Sequence, residues 1–121
     1  GTFRTLYGRH PRNRLKFSGR VRSGKTAVTH FKVTRRFEKA ARVEVALETG
    51  RTHQIRVHFA EAGFPLLGDS LYGRKSTAIS RQALHAWKLT IRHPRTGKAL
   101  KLVAPVPEDL RAAEQALGSA R

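Results

Sequence analysis

Residues 26–36, TAVTHFKVTRR, place Thr29, Phe31 and Val33 on one face of an extended chain and Val28, His30 and Lys32 on the other. That period of two, in a run rich in β-branched and aromatic residues, predicts a half-buried strand. Residues 42–48, RVEVALE, alternate more cleanly, with Val43, Val45 and Leu47 opposite Glu44, Ala46 and Glu48. Residues 37–41 join the two as a hairpin connection, and the register should be firm because a one-residue slip would turn the apolar set to solvent. Thr49-Gly50-Arg51 reads as a turn, and a helix should begin near Thr52, whose hydroxyl can cap the first free N–H groups. Ile55, Phe59 and Ala62 form its apolar stripe, and Gly63 with Pro65 stops it. Leu66-Leu67 is a short buried run, followed by turns at Gly68-Asp69 and Tyr72-Gly73 and a polar loop over 74–82.

Further along, 83–92 alternates with His85, Trp87, Leu89 and Ile91 on one face, and 99–103 forms a partner strand across a Pro- and Gly-bearing hairpin turn at 93–98. A last helix spans about Pro107 to Leu117, with Glu108 and Asp109 at its positive end, Leu110, Ala113 and Leu117 to dock it, and Gly118 to end it. Residues 1–25 show no sustained period and are punctuated by Gly8, Pro11, Gly19 and Gly24. They read as a basic arm with a short extended piece, too polar to pack by itself. The pattern predicts an α+β fold with a mostly antiparallel sheet and two helices, forming a single domain or a partial one over 1–121.

Charge changes this picture more than size does. The 121 residues carry 25 Lys+Arg against 8 Asp+Glu, a net +17. Residues 1–36 hold eleven of those cations and no acid, since the first acidic residue is Glu38. Such an excess repels itself unless a polyanion neutralises it, and Arg, which outnumbers Lys in this block, is the better bidentate phosphate donor. Nucleic acid is therefore the expected partner. A membrane surface fits less well, because the early cations do not lie along an amphipathic helix. There is no Cys, which excludes disulfide and thiolate chemistry and suits a reducing, cytoplasmic setting. No apolar run approaches a membrane span.

Common catalytic patterns are missing. His53 and His58 are five apart, not the four of a helical zinc site, and few carboxylates could join them, so no metal is expected. There is no nucleophile elbow, P-loop or dinucleotide fingerprint. Arg56 stands out by lying on the helix but off its apolar stripe, near the 49–52 turn. On the residues alone, a surface arginine in an Arg-rich chain is the better account.

The run TGRTHQIRVHFAEAGFPLLGDSLYG, residues 49–73, resembles the signature of the RluA-type pseudouridine synthases. GRHPRNRLKF and GKTAVTHFKV upstream, and LHAWKLTIRHPRTGKALKLVAPVPEDL downstream, extend the resemblance to nearly the whole chain. It implies the C-terminal half of that catalytic fold, an enzyme that isomerises uridine to pseudouridine in structured ribosomal or transfer RNA without a cofactor. By the motif, the arginine that pairs with the family's catalytic Asp falls on Arg56, and the aliphatic residue near the target base falls on Leu84. Arg51, His53 and Gln54 would shape the turn and contact RNA, and Arg9, Arg12, Arg14 and Lys16 would track its backbone. Asp69 would brace the Gly68 turn. The sequence departs from the family pattern in having no RLD-type motif, which carries the catalytic Asp, and no base-stacking Tyr from the segment that follows it. The chain alone is therefore expected to be inactive, with a missing N-terminal half supplying the Asp. Unpaired strand edges would then favour self-association. A non-catalytic RNA-binding or ribosome-associated module is the alternative.

Overall fold

Alternating Phe3, Thr5 and Tyr7 turn inward along β1 (Thr2–Arg9), and this strand organises the sheet. The computed structural model describes residues 1–86, 88–92, 95 and 99–117. β1 pairs antiparallel with β3 (Lys25–Arg36) from Thr2 opposite His30 to Tyr7 opposite Lys25. On its other side it meets β2 (Phe17–Ser18) only at Gly8 and Arg9. β4 (Ala41–Leu47) completes the antiparallel order β2-β1-β3-β4. The expected basic arm is thus corrected: residues 2–9 are an inner strand. Their alternation is written in threonine, tyrosine and arginine, and its reward is a pairing 18 to 28 residues away that no local period reveals. Residues 10–16 close a tight connection in which His10 Nδ1 accepts the N–H groups of Arg12 and Asn13, and His10 N–H reaches Lys16 O.

β3 and β4 form the expected hairpin, with Val33 opposite Val43 and Phe31 opposite Val45 and a bulge between Val33 and Arg35. α1 (Gln54–Glu61) packs on the inner sheet face. It starts later than expected. The residue before it is His53, in left-handed backbone at φ 59° with no side-chain cap bond, so Thr52 is not the cap. Its buried side is Gln54, Val57, His58 and Phe59 rather than the Ile55/Phe59/Ala62 stripe. A polar network shifts the helix face. His58 lies between two strand threonines, Nε2 at 2.8 Å from Thr5 Oγ1 and Nδ1 at 2.7 Å from Thr29 Oγ1. Gln54 donates to Thr29 Oγ1 and Val28 O and accepts from Thr49 Oγ1 and Arg51 N–H. Phe3, Phe31 and Phe59 pack beside this network, and Tyr7, Ala27 and Val57 form the apolar core under Phe17 and Tyr72. At the helix end, the Glu61 carboxylate accepts from Ser18 Oγ and Gly19 N–H.

β5 (Lys88–Arg92) and β6 (Ala99–Val103) make a separate antiparallel pair. β5 is shorter than the predicted 83–92. Residues 83–86 are irregular, because Ala83 N–H bonds Leu67 O instead of a strand. The expected placements of Trp87, the 93–98 turn apart from Arg95, and the Gly118 stop lie outside the described residues. α2 (Glu108–Leu117) buries Ala113 and is held by ion pairs from Arg81 to Asp109 and Arg42 to Glu114. Among the described residues no helix is long and apolar enough to cross a membrane.

Burial holds His58 below its ordinary pKa of 6.5, with Glu61 opposing, so folding favours the neutral ring. The unfolded chain therefore binds more protons once the pH falls below about 6.5, and stability rises with pH in that window. Denaturant titrations at pH 7.5 and 5.5 should show the folded state weaker at the lower pH. The slope has a ceiling of about 1.4 kcal/mol per pH unit per histidine, and it should be shallower in His58→Gln.

Candidate active site

Arg56 sits on the side of α1 turned from the sheet, where the Leu67–Tyr72 loop folds back against the helix. Gly68, at φ 77°, makes that return possible: a Cβ there would lie 2.1 Å from Arg81 O. The turn buries Asp69, whose residue is 1 % exposed. Its carboxylate does two jobs. Oδ1 accepts the N–H groups of Leu71 and Tyr72, which is the expected turn brace. Both oxygens also take Arg56, Nη2 to Oδ1 and Nε to Oδ2, each at 2.9 Å. Burial alone would raise the Asp69 pKa. The bonds from Arg56, Tyr72 and Leu71 outweigh it and hold the carboxyl below its usual range. The Arg56 pKa is raised in turn, chiefly by its bond to Asp69.

An intrachain partner for Arg56 is thus present, where the sequence pointed to an Asp elsewhere. The fork–fork bond occupies Nε and Nη2 and leaves Nη1 without a partner among the described residues. The guanidinium carbon lies 5.2 Å from the Tyr72 ring centroid, so the plane is held from a second direction.

Arg56 lines a hollow of about 310 Å³, open to solvent, with Leu47, Ile55 and Leu84 as its apolar wall. The structure therefore brings Arg56 and Leu84 to one hollow, although they are 28 positions apart. Arg81 Nη1 fixes this approach by donating to Gln82 O and Leu84 O. Arg51, His53 and Gln54 also line the hollow, in unequal ways. Arg51 spends Nε and Nη2 on Thr26 O, tying the turn to β3. Gln54 is buried, and its amide is fully used inside the protein, which leaves it no group for RNA. His53 is partly exposed and lines the hollow.

The four predicted backbone-tracking cations share one hairpin. Arg9 donates to Arg14 O, and its guanidinium lies 5.0 Å from the Phe17 ring centroid. Arg12 and Arg14 are exposed at the tip. Lys16 Nζ lies 5.8 Å from the centroid of the same Tyr72 ring that Arg56 approaches, so the hairpin and Arg56 meet at one aromatic side chain. Sequence reasoning did not single out Tyr72. Its one local signal is its place three residues after Asp69, within reach of the carboxylate that caps the turn.

Known proteins resemble this chain in sequence and in fold. The family model described as RNA pseudouridylate synthase matches residues 1–61. A ribosomal large subunit pseudouridine synthase D of Neisseria meningitidis is 45 % identical over 122 residues, covering 91 % of this chain and 33 % of that protein. The Bacillus subtilis RNA pseudouridine synthase YlyB is 50 % identical over 111 residues, covering 91 % of this chain and 36 % of its own length. The chain thus spans about a third of the curated relatives it matches. Among solved structures, human RNA pseudouridylate synthase domain containing 1 aligns with a TM-score of 0.74 at 27 % identity, over 93 % of this chain and 51 % of that one. The family model matches half of the chain, and the solved fold agrees with it: the chain belongs to the RNA pseudouridylate synthase family.

Proposed function

We propose that the chain is the C-terminal part of an RluA-type catalytic domain and supplies the basic wall of a uridine site in structured RNA. The observation that carries this reading is Arg56, clamped by Asp69 and still offering Nη1 beside the apolar wall that contains Leu84. The reaction is an isomerisation. A carboxylate from a segment bearing the RLD-type motif attacks or deprotonates the nucleotide, the glycosidic C–N bond breaks, the uracil turns, and a C–C bond replaces it. The target base must first leave its stack, at a cost repaid by contacts in the pocket. Arg56 Nη1 would hold the incoming carboxylate ionised and oriented, as a charge-assisted bond does. Leu84 and Leu47 would pack against the displaced base.

The basic hairpin would follow the RNA backbone, with Arg9, Arg12, Arg14 and Lys16 as phosphate contacts. Neutralising about four phosphates makes affinity fall roughly a hundredfold between 50 and 200 mM salt. Fluorescence anisotropy with a structured RNA at several salt concentrations measures this, and Arg12→Ala with Arg14→Ala should flatten the dependence. Affinity that barely moves with salt would count against the RNA reading. The net charge of +17 also favours a second reading, a non-catalytic RNA-binding module. Under that reading Arg56→Ala would have no activity to remove; under the first it removes pseudouridine formation by the assembled catalytic domain and leaves most RNA affinity in place.

A further inference from the structure

His53 is the only non-glycine residue at positive φ among those described, at φ 59°. Such a conformation disfavours a side chain and persists where the surroundings fix it. Here the fixing is visible. Val57 N–H bonds His53 O at 2.9 Å, and the ring stands edge-on to both Phe17 and Tyr72. His53 Nδ1 lies 2.8 Å from Tyr72 Oη, and that same oxygen accepts Phe17 N–H at 2.9 Å.

The direction of these bonds follows from counting protons. A phenol has one proton to give, and its oxygen already accepts one from the Phe17 main chain. Within the described residues the acceptor in reach of the Tyr72 proton is His53 Nδ1. With the Tyr72 proton given to Nδ1, the ring proton is on Nε2. That nitrogen has no protein partner among the described residues, where no buried side-chain N or O lacks one, so Nε2 faces solvent. Burial and the neighbouring Arg56 charge both hold His53 below its ordinary pKa, against a smaller opposing effect of Asp69, and so favour the neutral ring. His53 lines the hollow beside the cations of Arg51 and Arg56.

Resting on the RNA reading above, we infer that Tyr72 fixes His53 as a neutral Nε2–H donor, and that this N–H binds a phosphodiester oxygen of the nucleotide entering the hollow. The surrounding cations favour an anionic oxygen over a base carbonyl. A neutral donor adds direction without another buried charge. Tyr72 acts through His53 and is a positioning residue.

Long-range proton–nitrogen NMR of the histidine rings in the full ¹⁵N-labelled chain tests this, with the His53 signal assigned by its loss in His53→Asn. The expected result in the free chain near neutral pH is a protonated Nε2 and a bare Nδ1. Adding a short uridine-containing RNA hairpin should shift Nε2, while uridine nucleoside, which lacks a phosphate, should not. Tyr72→Phe should mix the two tautomers and weaken RNA binding roughly three- to tenfold, the effect of one hydrogen bond. A proton on Nδ1, or a charged ring, in the free wild-type chain would overturn the inference, as would an Nε2 that responds to the nucleoside alone. If RNA binding saturates and Nε2 does not move, the inference falls and the RNA reading stands. If no RNA binds at all, both fall together.

Discussion

Asp69→Asn is expected to lower the folding stability by about 3–5 kcal/mol, a large share of what a domain of this size commands. Asparagine preserves an oxygen for the N–H groups of Leu71 and Tyr72, so the turn keeps its brace. The charge is what disappears. The Arg56 side chain is only 15 % exposed, and without the carboxylate its guanidinium is left partly buried and unpaired. Removing both charges is a different matter, because a well-packed apolar pair can replace a buried ion pair at little cost. Asp69→Asn combined with Arg56→Leu should therefore recover much of the loss. Urea denaturation of the two variants measures the coupling, and additive losses would show that the pair does not act as a unit. The depressed Asp69 pKa gives a second readout. Its stabilisation is present above the unfolded value of 3.8 and is lost as the pH falls through the lower folded value. The wild type should weaken in that acid window and Asp69→Asn should weaken less.

Gly68→Ala should cost about 3 kcal/mol through two separate effects, left-handed backbone at about 1–2 kcal/mol and overpacking at about 1–3 kcal/mol. The new methyl would meet Arg81 O at 2.1 Å and Ile79 Cγ2 at 2.9 Å. Neither can retreat freely. Ile79 is buried, and Arg81 is held by Asp109 and by its own bonds to Gln82 O and Leu84 O. Relief would push the 79–84 segment outward and carry Leu84 away from Arg56. Thermal or urea unfolding reports the cost, and a loss under about 1 kcal/mol would mean that the segment yields more easily than its bonds suggest.

The elements legible in the sequence were those with strong local periods. β3, β4 and α2 appear close to where alternation, turn residues and acidic first-turn residues put them. β1 was missed because its inward residues include Thr5, whose value comes from a buried histidine 53 positions away rather than from hydrophobicity. The α1 face was misjudged for the same reason. Gln54 and His58 are polar in the sequence and buried in the fold, since strand threonines satisfy them. At the site, Arg56 and Leu84 were legible only through motif resemblance. Asp69 was seen as a turn residue, but nothing in its spacing says that the same carboxylate also grips an arginine thirteen residues back. The roles of Tyr72 and His53 depend on where a phenolic proton goes, which no residue pattern encodes.

The central claim is that Arg56, clamped by Asp69, completes a pseudouridine-forming site whose carboxylate comes from an RLD-type segment. The most direct measurement joins or mixes this chain with such a segment and quantifies pseudouridine in a structured, uridine-containing RNA, with Arg56→Ala in parallel. The account predicts product with the wild-type chain, none above background with Arg56→Ala, and similar RNA affinity for both. Arg56→Ala yielding as much pseudouridine as the wild type, or no product from two folded wild-type partners that bind the RNA, would contradict it.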